Sequence, residues 1–460
     1  MIELIQNILP YLILLFFVVK AIKEPIYFLA IPFLMFMSRS IFFDDVKLLR
    51  IPGRLVGPIL TLFWFFSFWI LSKINLERKS DTISKIRSFT HLDYCITGLI
   101  LISCFGLIMT IIHFQDLSNV FEEFTNIISL FICYFFIKDL VSYIKPEILV
   151  KFLYSIVIVN SIASFLFVLH QGLHIKIYQH IEYLTVIYQG QEITRSFWFM
   201  PQFLPFSIAY LVVFQKNFFS VTTILLIVNL LAVFVSYTRS SLITAFLIIS
   251  LYYIFMGLKE LSFSLVIKNF LIYSIGTILI FLFVSYFLPA NTNYFVNRFA
   301  EISDQSTFKE NNSSKYRFMM TGNVISKMDD DKKILGMGPI TEIQMTRVIQ
   351  MRQTTADMVW TEVIFRWGYV GLFLFSLLYI LSLTGSLKLF FKSQGLLANL
   401  SILLFLILIS QIIGSFFSWT FLSGHGFAIG LWYFAILSSL LVSNNNSQIQ
   451  KNLQLSDETA

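Results

Sequence analysis

Charge is what this sequence has least of. Only 13% of its 460 residues are Asp, Glu, Lys or Arg, about half the share usual in a soluble domain. Some 57% are hydrophobic, and the mean hydropathy is +0.78. So little charge cannot solvate two or three soluble domains, so lipid must solvate most of the surface. Cysteine is scarce too. Cys95, Cys104 and Cys133 all fall inside apolar runs, which excludes a disulfide framework and reads as small buried hydrophobes. There is no Walker motif and no dinucleotide glycine pattern, which argues against ATP and NAD chemistry. No arginine-rich run with interleaved aromatics is present either. The formal charge of +7 is scattered over short loops, which argues against a nucleic-acid partner. No basic region or small-residue cleavage site flanks the first apolar run, so Leu4–Val19 is expected to be a retained helix.

Apolar runs of spanning length, by contrast, are plentiful. They are Leu4–Val19, Ile26–Phe43, Leu55–Leu71, Cys95–Ile112, Phe124–Ile137, Ile148–Leu169, Phe197–Phe214, Phe219–Val235, Leu242–Met256, Phe270–Leu288, Met358–Leu383, Leu396–Ser415 and Phe427–Val442. Backbone polar groups cannot go unpaired in lipid, so each run must be helical. The expected fold is all-α: a polytopic membrane helix bundle of about 12–13 transmembrane helices with one large extracytoplasmic loop. The boundaries are residues 1–288 for the first ten helices, 289–357 for the loop, 358–442 for the last three helices and 443–460 for a cytoplasmic tail.

Short basic loops set the orientation. Lys73, Arg78, Lys79, Lys85 and Arg87 crowd one loop, and Lys138, Lys145 and Lys151 a second; Lys259 and Lys268 flank a third, and Lys388 and Lys392 sit in a fourth. Placing all four in the cytoplasm turns Asp116, Glu122 and Glu123 outward, together with Ser236–Ser241 and the long loop Pro289–Asp357. The first three helices fit this rule poorly, because alternation puts Lys47, Arg50 and Arg54 outside. Within the long loop, Asn311–Ser314 offers N-cap residues for an amphipathic helix running through Met328. The Asp329–Lys333 charge cluster and the Gly336-Met337-Gly338-Pro339 turn are expected to end it. A second helix is expected from Thr341 to Met351, and both would lie at the outer surface.

Several groups could carry chemistry. Arg239, in Ser236-Tyr-Thr-Arg-Ser-Ser241, stands where the chain turns at the outer boundary. It reads equally as an interfacial anchor and as a guanidinium fork for a diphosphate. Arg317, Arg347 and Arg352, with Arg298 and Lys315 nearby, are either a solvated face or fixed donors for a pyrophosphate leaving group. Asp357 stands where the loop returns to the membrane and could accept a proton from a sugar hydroxyl. Glu362 and Arg366 follow at helical spacing and can pair on one face. Glu192 and Arg195 close another outer loop as weaker binding candidates. In that loop His170, His174, His180 and Glu182 lack the spacing of a zinc motif and read as interfacial side chains, so no metal site is expected.

Taken together, three elements resemble the O-antigen polymerase and ligase superfamily of bacterial membrane glycosyltransferases. Val235-Ser-Tyr-Thr-Arg-Ser-Ser-Leu242 looks like its Ser/Thr-Arg motif between two helices. Arg298…Ser314-Lys-Tyr-Arg317…Ile334-Leu-Gly-Met-Gly-Pro339 looks like its long periplasmic loop, and Asp357-Met358…Gly368-Tyr-Val-Gly371 like its loop exit. The likeness runs from Phe219 to Phe375. Ligases of this superfamily carry histidine eleven residues before the first glycine of the exit segment, where this chain has Asp357. That departure favours a polymerase and leaves the identity of the catalytic base open. The resemblance implies transfer of a glycan from an undecaprenyl-diphosphate-linked oligosaccharide to a second lipid-linked unit, without metal or cofactor, at the bacterial inner membrane. Its partners would be that substrate, membrane lipids and a chain-length regulator. A ligase and a lipid-linked oligosaccharide flippase remain as alternatives, although a transporter usually carries mid-membrane charges and internal repeats that are hardly visible here.

Overall fold

The computed structural model describes residues 2–30, 66, 70, 89–113, 117–172, 183–188, 191–196, 200–215, 220–236, 239–287, 292–293, 296–297, 321–323, 325–339, 359–415 and 430–444. The described chain is a helix bundle. Helix α1 (Ile2–Lys23) is followed by a short 3-10 helix (Pro25–Leu29), and then by α2 (His91–His113), α3 (Leu117–Ser142) and α4 (Pro146–Gly172). After a hairpin come α5 (Met200–Val213), α6 (Val221–Val235), α7 (Arg239–Glu260) and α8 (Phe263–Phe287). The long loop contributes α9 (Asp330–Leu335), and α10 (Val359–Lys392), α11 (Gly395–Ser415) and α12 (Gly430–Asn444) close the chain. Among the described residues, six helices are long and apolar enough to cross a membrane. The fold is therefore that of a polytopic helical membrane protein.

Position in the bundle follows composition. Every residue of α5 from Phe203 to Val213 is buried, as is α12 from Gly430 to Leu440, so these all-round apolar helices form the interior. Helix α8 sits at the periphery, with Ile275, Ile278, Leu279, Leu282 and Phe283 exposed, as suits a lipid-facing surface. Polar side chains knit neighbours together. Asn229 of α6 donates to Ser161 of α4 at 2.8 Å and accepts from Ser164 at 2.8 Å, interhelical hydrogen bonds of the kind that replace hydrophobic driving force in lipid.

One end of the bundle is held by charge. Thr90 and Asp93 form a capping box at the start of α2: the Thr90 N–H donates to Asp93 Oδ2 at 2.5 Å, and the Asp93 N–H to Thr90 Oγ1 at 3.4 Å. The same carboxylate pairs with Lys138 of α3 and accepts the Tyr134 hydroxyl at 2.8 Å. Thr90 Oγ1 lies 2.7 Å from Ser438 Oγ of α12, so three helices share one buried anion. At the same end Lys259 of α7 donates to the Phe390 and Ser393 carbonyls of α10, both at 2.7 Å. A cation at a helix C-terminus is favoured there.

That end also gathers Lys145, Lys151, Lys268, Lys388 and Lys392, so the basic loops expected in the cytoplasm share one end of the bundle. The Tyr27 ring meets Phe152 edge-on at 5.7 Å, which brings the Lys20–Lys23 end of α1 to the same side. Helix α1 therefore keeps its basic end with the other basic loops. Lys47, Arg50 and Arg54 lie outside the described residues.

Two local features go beyond the sequence reading. A two-stranded antiparallel hairpin, β1 (Tyr183–Tyr188) and β2 (Gln191–Ser196), stands in the outer loop between α4 and α5. The Asp329–Lys333 cluster, expected to end a helix, follows the end of one and also starts another: helical residues stop at Ser326, the chain bends at Lys327–Met328 and α9 begins at Asp330. Lys332 pairs with Asp329 at 2.5 Å and Lys333 with Asp330 at 2.8 Å. These i,i+3 pairs favour a helical turn where mixed charge alone suggested a break.

The buried Asp93 pair carries the first prediction. Asp93→Ala removes the ion-pair partner of Lys138 and the acceptor for Thr90 and Tyr134, at a cost of about 3 kcal/mol. Thermal unfolding in detergent should show a lowered midpoint, with Asp93→Asn less affected. A midpoint equal to the parent in both variants would refute this role.

Candidate functional site

At the opposite end, the one expected to face outward, the long loop does not merely rest on the bundle. Met337, Gly338 and Pro339 are buried, so the chain after α9 dips inward between α2 and α10. The two short loop helices were expected at the outer surface; the turn between them reaches into the bundle instead. The reason is a break in α10. Gly368 adopts φ 63° and ψ −165°, a conformation open to glycine alone. Just before the break, the Phe365 carbonyl accepts the Met337 N–H at 2.7 Å and the Arg366 carbonyl accepts the Gly338 N–H at 3.0 Å. The contact is too close for side chains. A Cβ on Gly368 would stand 2.2 Å from the Ile334 carbonyl oxygen, and one on Gly336 would stand 2.3 Å from that of Arg366. Gly371, the second glycine of the exit segment, makes room for the Trp367 side chain, which would lie 2.1 Å from an added Cβ.

Helix α2 closes the other side. A Cβ on Gly106 would meet Gly338 Cα at 2.8 Å. The single hydroxyl proton of Thr110 is shared between the Gly106 carbonyl at 2.6 Å and the Met337 carbonyl at 2.9 Å. One turn into α10, Thr361 Oγ1 lies 2.6 Å from Thr321 Oγ1 of the loop. Beside the clasp, Arg366 Nη2 pairs with Glu362 Oε1 at 2.9 Å, with side chains 13% and 20% exposed. The pairing expected from their spacing is therefore present, on the segment that holds the loop. The only other loop charges described, around α9, are solvated; the Lys332 ammonium holds the Asp329 carboxyl below the usual carboxylate range.

The candidate residues named from the sequence fall unevenly on this frame. Arg239 is the first residue of α7, at the outer end, where Ser236 ends α6 with its hydroxyl donating to the Val233 carbonyl at 2.7 Å. Glu192 and Arg195 lie on β2, opposite Ile187 and Leu184 in register. Their odd spacing puts these two positions on opposite faces of the ribbon. Arg317, Arg347, Arg352, Asp357, Arg298 and Lys315 lie outside the described residues, as do His174, His180 and Glu182. The chain flanking Arg347, Arg352 and Asp357 is described, however, and both flanks, Pro339 and Val359, are held at the outer part of α10. Gly106 and Thr110 were not singled out from the sequence. The available signal was a glycine in the middle of an apolar helix, which costs about 1 kcal/mol against alanine and so points to a close neighbour.

The geometry defines a class of protein first: a polytopic membrane helix bundle whose outer loop is clasped into the bundle between two helices. One family model then matches part of the chain. Residues 223–376, from α6 through the loop to the middle of α10, match the family model described as O-Antigen ligase. Over about a third of its length the chain thus carries the pattern of the O-antigen polymerase and ligase superfamily. That match supports a membrane glycan-processing enzyme of this type. No curated protein and no solved structure matches the chain.

The glycine break is open to a direct test. Gly368→Ala puts a Cβ into the Ile334 carbonyl and forces an alanine into a glycine-only conformation, a backbone cost of about 1–3 kcal/mol. Protease added from the outer side should cut the loop markedly faster in this variant. Gly276→Ala, where nothing lies within 4 Å, is the control. Equal cleavage rates in both would show that Gly368 does not hold the loop.

Proposed function

We propose that the protein is a polysaccharide polymerase that joins undecaprenyl-diphosphate-linked repeat units on the extracytoplasmic face of the bacterial inner membrane. The observation that carries the polymerase reading is Asp357, standing eleven residues before Gly368 where the resemblance implies a histidine in ligases. A hydroxyl of one lipid-linked unit attacks the anomeric carbon of another. The new glycosidic C–O bond forms as the bond from that carbon to the diphosphate oxygen breaks. The hydroxyl proton passes to the Asp357 carboxylate, and the lipid diphosphate leaves carrying the bonding electron pair.

Guanidinium groups suit that leaving group, because their paired N–H donors match phosphate oxygens. Arg239 and Arg317 take this role, with Arg347 and Arg352 as further contacts on the loop arm. Arg195 and Glu192 of the hairpin serve binding, one on each face of the ribbon, so at most one of them meets a given substrate unit. No metal or cofactor is invoked. Membrane lipids surround the bundle, and a chain-length regulator is the partner such a polymerase would take.

The family description also names ligase chemistry, which shares the donor and differs in the acceptor. The glycan profile of a deletion strain separates the two: single repeats mark a polymerase, and unattached long chains mark a ligase. In the polymerase reading, Arg239→Ala and Arg317→Ala each lower chain growth by about 10²–10³-fold, with protein level unchanged. Normal chain lengths in both variants sink the assignment. Asp357→Asn is a separate test, and an active variant removes Asp357 as the proton acceptor.

A further inference from the structure

The clasp on the outer loop has two sides, and the side made by α2 lies outside the matched residues 223–376. There the backbone of Gly338 fits into a notch left by Gly106. An added Cβ on Gly338 would stand 2.3 Å from the Gly106 carbonyl oxygen and 2.2 Å from Thr110 Oγ1. Within α2 itself nothing calls for glycine at position 106, since the helix continues unbroken from His91 to His113. Alanine would make the better helix. What the glycine provides is space for a second backbone, and Thr110 one turn on reaches the Met337 carbonyl from the same face. The loop strand is thus gripped from α2 by shape and one hydroxyl, and from α10 by two main-chain hydrogen bonds.

We propose that Gly106 and Thr110 are positioning residues, which set the depth at which Gly338 enters the bundle and thereby fix the start of the chain segment that bears Arg347, Arg352 and Asp357. They touch no substrate and act through Gly338. The effect on catalysis rests on the polymerase reading; the effect on loop placement does not. Gly106→Ala displaces Gly338 without weakening α2, and Thr110→Val removes the hydroxyl while Thr110→Ser keeps it.

Loop placement can be read without any substrate. The full-length protein carrying Thr321→Cys and Thr361→Cys has two sulfurs replacing hydroxyl oxygens 2.6 Å apart, close enough for a disulfide. Oxidation should link the pair readily in the parent and in the Gly276→Ala control. It should do so about tenfold more slowly with Gly106→Ala or Thr110→Val, and at the parental rate with Thr110→Ser. Elongation of lipid-diphosphate-linked repeats by the purified protein should fall in the same two variants. Once formed, the disulfide should restore at least half of the lost rate, because it re-seats the loop, which general damage to the fold would not allow. Equal cross-linking rates in all variants overturn the proposal, and so does a formed disulfide that restores no activity to Gly106→Ala or Thr110→Val while the parent is active. If even the parent elongates nothing while the cross-linking difference stands, the positioning of the loop is upheld and the polymerase reading is what fails.

Discussion

A main-chain N–H that enters an apolar bundle must find an acceptor there, because lipid offers none and leaving it unpaired costs several kcal/mol. This constraint governs the outer half of the molecule. Met337 and Gly338 carry their N–H groups inward, and the carbonyls of Phe365 and Arg366 receive them next to the break at Gly368. A straight α10 lined with side chains would leave no room for that exchange. The glycines at 106, 336, 338 and 368 all answer to this one close approach of backbones.

The inner end is built on another principle. A single buried carboxylate, Asp93, collects Lys138, Tyr134 and Thr90, while Lys259 covers the carbonyl end of α10. Charge fixes one end of α2 and α10, and main-chain hydrogen bonding with glycine packing fixes the other. Between them, apolar helices α5, α11 and α12 fill the interior and α8 faces outward. The outcome is a rigid frame whose outer rim presents the start of α7, with Arg239, and the two ends of the arm bearing Arg347, Arg352 and Asp357. A glycan polymerase needs such a rim. Its donor is anchored in lipid, its leaving group is an anion at the membrane boundary, and its acceptor approaches from outside.

Much of the helical frame was legible in the sequence, because spanning length and apolarity are one-dimensional properties. The run beginning at Cys95 became a helix beginning at His91 only because Thr90 and Asp93 cap it, and a hydropathy window discards a buried aspartate. The hairpin was not legible because each strand is only six residues long, too short for a clear alternation. The Asp329–Lys333 cluster does mark a helix end, but that its i,i+3 pairs also start α9 was not legible. Gly336-Met-Gly338 and Gly368-Tyr-Val-Gly371 were visible as motifs, but their meeting was not. It depends on contact between segments some thirty residues apart and on Gly106, more than two hundred residues away.

The central claim is that this frame makes glycosidic bonds between lipid-linked units, and it can be tested without a cell. Purified full-length protein in detergent or liposomes is given undecaprenyl-diphosphate-linked repeat units and nothing else, and the products are resolved by size. The account predicts a ladder of chains that grow by whole repeats, with free undecaprenyl diphosphate released in step with each new bond. Substrate that is returned unchanged, or moved across the membrane with no new bond formed, would contradict it.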